Sequence, residues 1–229
     1  MPRHPRLIVL GYPYHTILRG NNKCVIFYND KDRRFFIECL KKSKEKTDSK
    51  IYAYCLMTNH VHLLIEPSKE DGLANMMQSL GRRYVQYINS TYSRTGTLWE
   101  GRYRSSLVDK DGYLSVCARY VELNPVRAKM IRYPDDYSWS SFRSKVTGNI
   151  EDFLDLDPIY LNMGKTPKER QHNYRKWVLE GTPEQELSLI RFATQKCGII
   201  GSDVFRNKIE KVIGRSVILR SRGRPKKSL

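Results

Sequence analysis

No stretch of this sequence reaches the roughly 18 consecutive apolar residues that a membrane-crossing helix needs, so no membrane span is expected. The opening residues, MPRHPRLIVLGYPYH, contain too short an apolar core for a secretory signal. The five cysteines (Cys24, Cys39, Cys55, Cys117, Cys197) are odd in number and never fall in a C-x-x-C pattern. That excludes a disulfide framework and a thiolate zinc site, and it points to a reducing, cytoplasmic compartment. A P-loop is missing, because Gly164-Lys165-Thr166 lacks the glycine five positions before Gly164. No Asp-His follows His62, which removes the H-x-H-x-D-H metallohydrolase pattern, and there is no internal repeat. Negative charge is also scarce. Against 24 acidic residues stand 41 basic ones, a net charge of +17, which implies a polyanionic partner, most often nucleic acid. The length, 229 residues, suits one ordinary domain and an appendage.

What is present centres on Ile51 to Ile65, reading IYAYCLMTNHVHLLI. Two apolar runs flank Thr58-Asn59, the pattern of two strands joined by a tight turn. Upstream, Tyr14 to Leu18 reads as a strand and Lys31 to Lys46 as a helix with Phe35, Phe36, Cys39 and Leu40 on its apolar stripe. Downstream, Gly72 to Tyr92 carries Leu73, Met76, Met77, Leu80, Tyr84, Tyr87 and Ile88 at helical spacing. Trp99 to Val108 reads as a loop entering a strand, and Asp111 to Leu123 as a helix that Asp111 could cap. Asn124-Pro125 marks a boundary or kink.

The order strand, helix, strand, strand, helix, strand is that of a ferredoxin-like split βαβ fold. The fold class expected is therefore α+β: an antiparallel sheet with helices on one face, and a mainly helical, basic C-terminal extension. Residues 1–145 form the expected main domain and 146–229 the extension. Within the extension, helices are expected near Lys168 to Glu180 and Phe205 to Ile213, and the basic tail is expected to be disordered.

His60 and His62 lie two apart at the start of a strand, so their side chains leave the same face. Paired imidazoles of this kind suit a metal, although packing within a sheet would explain them equally. Tyr120 and Asn124, four apart in CARYVELNPVRA, share a helix face. A tyrosine so placed can act as a covalent nucleophile, and an asparagine oxygen can complete a site for a hard cation. A structural tyrosine and a capping asparagine would be the plainer account.

The stretches YCLMTNHVHLLI, GTLWEGRYRSSLV, RYVELNPVRA and YSWSS, in this order and spacing, resemble the REP-associated tyrosine transposases. These are domesticated relatives of the HUH single-tyrosine transposases. The resemblance covers about residues 14 to 143 and is supported by the basic tail. It implies that Tyr120 is the nucleophile and that His60, His62 and Asn124 hold Mg²⁺ or Mn²⁺. It further implies binding of single-stranded REP-type hairpin DNA, cleavage through a 5′-phosphotyrosine intermediate, and strand rejoining. The chain would act in the bacterial cytoplasm, associated with the nucleoid, as a monomer or homodimer.

Arg82, Arg83, Arg102, Arg104, Arg119 and Arg127 flank these motifs and are candidate DNA contacts, as are Arg215, Arg222 and Arg224 of the tail. Gly223-Arg224-Pro225 resembles the core of an AT-hook. His15, Trp99 and Trp139 read as core or sheet residues; His15, on the first strand, could lie near the site but is left out of the site set. One alternative is a non-catalytic hairpin-binding regulator of the same fold. Another is a replication-initiator-like nickase, which the short chain without a helicase motif disfavours.

Overall fold

The structure is a computed structural model that describes residues 8–214 and 216–217. Strand β1 (Tyr14–Arg19) leads to helix α1 (Asp30–Thr47), then to the hairpin β2 (Lys50–Met57) and β3 (His60–Glu66). Helix α2 (Gly72–Thr91) and strand β4 (Arg104–Val108) complete the split βαβ core. The sheet order is β2-β3-β1-β4, all antiparallel.

Local chemistry accounts for these boundaries. Asn29 and Asp32 form a reciprocal capping box at the start of α1, and Asp48 ends the helix in the left-handed region. Thr58 and Asn59 turn β2 into β3, setting Met57 opposite His60 and Cys55 opposite His62. The period of two then sorts the sheet into two faces. Tyr14, Leu18, Leu56, Val61, Leu63 and Ile65 pack with Phe36 and Leu40 of α1 and Leu73, Met76, Leu80 and Tyr84 of α2. These two crossover helices share one face of the sheet.

The opposite face holds His15, His60 and His62. It is covered by α3 (Leu114–Glu122) and by α8 (Glu184–Lys196) of the extension. Helix α3 starts at Leu114 behind Tyr113, with no side-chain cap. Asp111 therefore does not cap it; its backbone N–H instead bonds to Asp109 Oδ1 at 3.3 Å, in the turn before the helix. The chain breaks at Leu123 and resumes as α4 (Asn124–Arg127), with Pro125 in its first turn where a missing N–H costs nothing.

The extension is woven into this body. After α5 (Ser141–Thr147), residues 149–158, which carry Glu151, Asp152, Asp155 and Asp157, run along the edge strand β2. Asp155 accepts from the N–H of Ile51 at 2.7 Å and pairs with Lys44, while Glu151 accepts from Tyr54 Oη at 2.6 Å. Helices α6 (Pro158–Leu161) and α7 (Pro167–Leu179) then pack against α3 and α5. The key to that packing is a fully buried ion pair, Lys145 Nζ to Glu122 Oε1 at 3.1 Å. Tyr174 of α7 donates to Glu122 Oε2 at 2.6 Å and accepts from Lys145 Nζ at 3.2 Å.

After α8, strand β5 (Ile199–Ile200) adds parallel to β4, and α9 (Asp203–Ile213) follows. The sequence reading placed neither α8 nor β5. Among the described residues no helix is long and apolar enough to cross a membrane. All five cysteines are free thiols.

Candidate active site

Strand register gathers the site. On β3, His60 and His62 project from the face opposite to Val61 and Leu63. Across the ladder, Arg19 is paired with His60, and His15 is paired with Leu64 one step beyond His62. The rings of His15 and His62 lie edge to edge and nearly parallel with centroids 5.1 Å apart, and those of His60 and His62 meet edge-on at 4.9 Å.

Helix α3 lays its apolar stripe, Leu114, Cys117, Ala118 and Val121, onto this face, and Tyr120 follows at the edge of the stripe. Its ring centroid lies 6.0 Å from that of His62 and 5.6 Å from that of His15, both in T-shaped contact. Tyr120 is 8% exposed, and its hydroxyl has no protein hydrogen-bond partner among the described residues. One chain thus supplies both the histidine pair and the tyrosine.

Asn124 begins α4 one turn later. Its Nδ2 donates to the carbonyls of Tyr120 and Val121 at 3.0 and 3.1 Å, which leaves Oδ1 as the free end of the amide. Arg127 lies over the Tyr120 ring, with its guanidinium carbon 4.2 Å from the centroid, and donates from Nη2 to the Tyr120 carbonyl.

Burial holds the site in its neutral forms. It pushes His15 down to about 3, helped by the positive charge of Arg127, and His60 down to about 4, helped by Arg19. It lowers His62 well below the ordinary histidine range, with His15 and His60 adding to the effect. Burial also raises the Tyr120 phenol, and Arg127, Arg191 and Arg19 pull it back towards ionisation.

Neutral imidazole and amide oxygen are donors of a chemistry that suits a divalent cation. Asn59 Oδ1 lies 2.6 Å from His60 Nδ1, and Asn59 Nδ2 is committed to the carbonyl of Lys23. His60 Nδ1 must therefore donate, which leaves the Nε2 lone pair for a metal. No group of three His, Cys, Asp or Glu side chains able to hold a metal occurs among the described residues. A third protein ligand has to be an amide or hydroxyl oxygen, and Asn124 Oδ1 has that chemistry.

The arginines divide. Arg104 opens β4 opposite Ile17 and shares the histidine face, as Arg19 does. Arg102 is exposed in the preceding loop. Arg82 and Arg83 are exposed on α2, across the sheet from the histidines. Arg119 is corrected as a DNA contact: it is 5% exposed, stacks on Trp177 at 4.1 Å and pairs with Glu186 at 3.0 Å. Arg215, Arg222 and Arg224 lie outside the described residues.

Sequence reasoning missed Arg19, Arg191 and Thr194, and left His15, on the first strand and within reach of the site, out of the site set. Alternation within β1 puts His15 and Arg19 on one face, but only the pairing with β3 identifies that face. The spacing of Leu187, Ile190 and Ala193 could have revealed α8, which brings Arg191 and Thr194.

Residues 9–124 match the family of IS200-like transposases. A protein of Haemophilus influenzae, assigned by name to the REP-associated tyrosine transposases, is 24% identical over 125 residues, covering 50% of this chain and 71% of that one. A solved structure described as the REP-associated tyrosine transposase bound to a REP hairpin superposes with a TM-score of 0.57 at 14% identity, covering 67% of this chain and 90% of that one.

Proposed function

Because the chain belongs to the IS200-like transposase family, we propose that it binds single-stranded DNA beside a REP-type hairpin, cleaves it through Tyr120 and rejoins strands. The carrying observation is that Tyr120 stands in ring contact with His62 within a single chain. The hydroxyl oxygen of Tyr120 attacks phosphorus and gives up its proton, and the bond from phosphorus to the 3′ oxygen breaks, that oxygen taking up a proton. The products are a 5′-phosphotyrosine and a free 3′-hydroxyl. The bond energy is conserved, so a 3′-hydroxyl can reverse the step on another strand without ATP.

His60 and His62, through Nε2, and Asn124, through Oδ1, would hold Mg²⁺ or Mn²⁺. When bound, the cation supplies Lewis-acid polarisation of the scissile phosphate. Arg127, above the Tyr120 ring, eases loss of the phenolic proton and offers a planar fork to a phosphate oxygen. Arg19 and Arg104, on the same face of the sheet, give the strand a positive bed. Hairpin recognition is carried over from the relative whose structure was solved with one.

The test is incubation of a labelled single-stranded hairpin oligonucleotide with the full chain, with Mg²⁺ or with EDTA. Cleavage that requires the divalent ion and disappears in a His60→Ala, His62→Ala double variant is expected. Cleavage by the double variant in EDTA would overturn the metal assignment. Binding without cleavage at every metal tried would favour a hairpin-binding regulator.

A further inference from the structure

His62 terminates a short hydrogen-bond chain that begins in the extension. Its Nδ1 lies 2.9 Å from Nε2 of His15, and Nδ1 of His15 lies 3.2 Å from the hydroxyl oxygen of Thr194 on α8. All three side chains are buried, so one proton is shared between His62 Nδ1 and His15 Nε2, and one between His15 Nδ1 and Thr194 Oγ1. Each neutral imidazole carries one N–H and one lone pair, which allows two proton arrangements.

In the first, Thr194 donates to His15 Nδ1, and His15 Nε2–H donates to His62 Nδ1. The proton of His62 then sits on Nε2, and that nitrogen cannot ligate a cation. In the second, His62 Nδ1–H donates to His15 Nε2, and His15 Nδ1–H donates to Thr194 Oγ1. The Nε2 lone pair of His62 is then free. His60 reaches the same state by its own route, through Asn59.

We propose that Thr194 and His15 are positioning residues that hold His62 in its Nδ1–H tautomer, so that α8 of the extension sets the cation affinity of the histidine pair. The inference rests on the reading of His60 and His62 as ligands. Its carrier is fastened to the sheet: Ser106 of β4 donates to the Ala193 carbonyl at 3.1 Å, and Leu107 N–H donates to the Gly198 carbonyl at 3.1 Å. These bonds clamp the end of α8 onto the sheet beside His15. Thr194 lies well beyond the segment that matches the family, so a residue outside that segment completes the environment of a residue within it.

The test uses the full chain with ¹⁵N-labelled histidine and no metal, followed by Mn²⁺ titration monitored by electron paramagnetic resonance. The parent should show His62 protonated on Nδ1. Thr194→Val keeps the shape but removes the acceptor, so an N–H at His15 Nδ1 would be orphaned. The proton of His15 should move to Nε2 and that of His62 to Nε2, and Mn²⁺ affinity should fall about 10- to 100-fold. Thr194→Ser should restore both readouts. His15→Gln, whose amide oxygen can accept from His62, should retain most of the affinity, and His15→Leu should not.

A parent with His62 protonated on Nε2, or a Thr194→Val protein with unchanged tautomer and Mn²⁺ affinity, would overturn the proposal. If the parent binds no Mn²⁺ at all, the ligand reading fails while the nitrogen spectra still decide the relay.

Discussion

Arg127 caps Tyr120: its guanidinium carbon stands 4.2 Å from the centre of the tyrosine ring, and its Nη2 donates to the carbonyl of the same residue. The two are seven positions apart, on either side of the break at Leu123, so α4 exists in part to fold this arginine back over α3. Arg127→Lys keeps a positive charge but loses the planar stacking and the fork. Its cleavage rate should fall by about 100-fold, the scale for removing one donor at a charge-developing centre. Hairpin affinity should change much less. A variant that cleaves at the parental rate would remove Arg127 from the chemistry.

The buried pair between Lys145 and Glu122 ties α5 and α7 to the helix that carries Tyr120. Lys145→Met leaves Glu122 with a buried, uncompensated charge and should destabilise the fold by about 3–5 kcal/mol. Denaturant unfolding measures this directly. The double variant Lys145→Met, Glu122→Gln should recover part of the loss, because Glu122 no longer carries a charge, whereas Asp157, also buried and 4.0 Å from Lys145 Nζ, keeps its own. A single variant within about 1 kcal/mol of the parent would mean that the pair does not anchor the extension.

Acid should weaken the metal-free protein through its histidines. In the folded state His15 is held down to about 3 and His60 to about 4, against an unfolded value near 6.5. The unfolded chain therefore takes up these protons first. Their contribution is fully present above about pH 6.5 and is lost as pH falls through 4 and then 3. Each adds at most about 1.4 kcal/mol per pH unit to the slope of stability. Urea titrations of the parent and of His60→Gln between pH 6.5 and 4 should differ in slope by up to one proton. Identical slopes would contradict the buried, neutral assignment.

The basic tail should bind phosphates. Truncation after Val217 removes Arg220, Arg222, Arg224, Lys226 and Lys227 and keeps the bond from the Val217 N–H to Glu210 Oε1. For every phosphate of single-stranded DNA that the shortened chain no longer neutralises, the plot of log affinity against log salt should flatten by about 0.7. An unchanged slope would show that the tail does not touch the DNA.

The core of the fold was legible because its signals are local. Alternation in Ile51 to Ile65, the two-residue break at Thr58-Asn59 and the stripe from Leu73 to Ile88 each specify one element without reference to the others. His60 and His62 followed from the same alternation. The rest depends on long-range pairing. His15 gains meaning only when β1 docks on β3, and Thr194 only when α8 crosses the sheet. Arg119 was misjudged for the same reason. Its neighbours Trp177 and Glu186 lie far along the chain, and nothing near it in sequence signals burial. Asp111 has the chemistry of a cap, but the turn at Asp109 delays the helix to Leu114.

Tyr120 is the proposed covalent nucleophile. Its hydroxyl has no protein partner among the described residues, so Tyr120→Phe removes one oxygen and leaves the ring contacts with His15 and His62 in place. The measurement is a denaturing gel of parent and Tyr120→Phe after incubation with a 5′- or 3′-labelled hairpin oligonucleotide and Mg²⁺ or Mn²⁺. The parent should give a cleaved strand and a denaturation-resistant adduct on the 5′ end, mapping to Tyr120. The variant should bind the hairpin within about twofold of the parent, a difference of about 0.4 kcal/mol, and give neither product. Equal adduct formation by parent and variant would place the nucleophile on another residue and contradict the account.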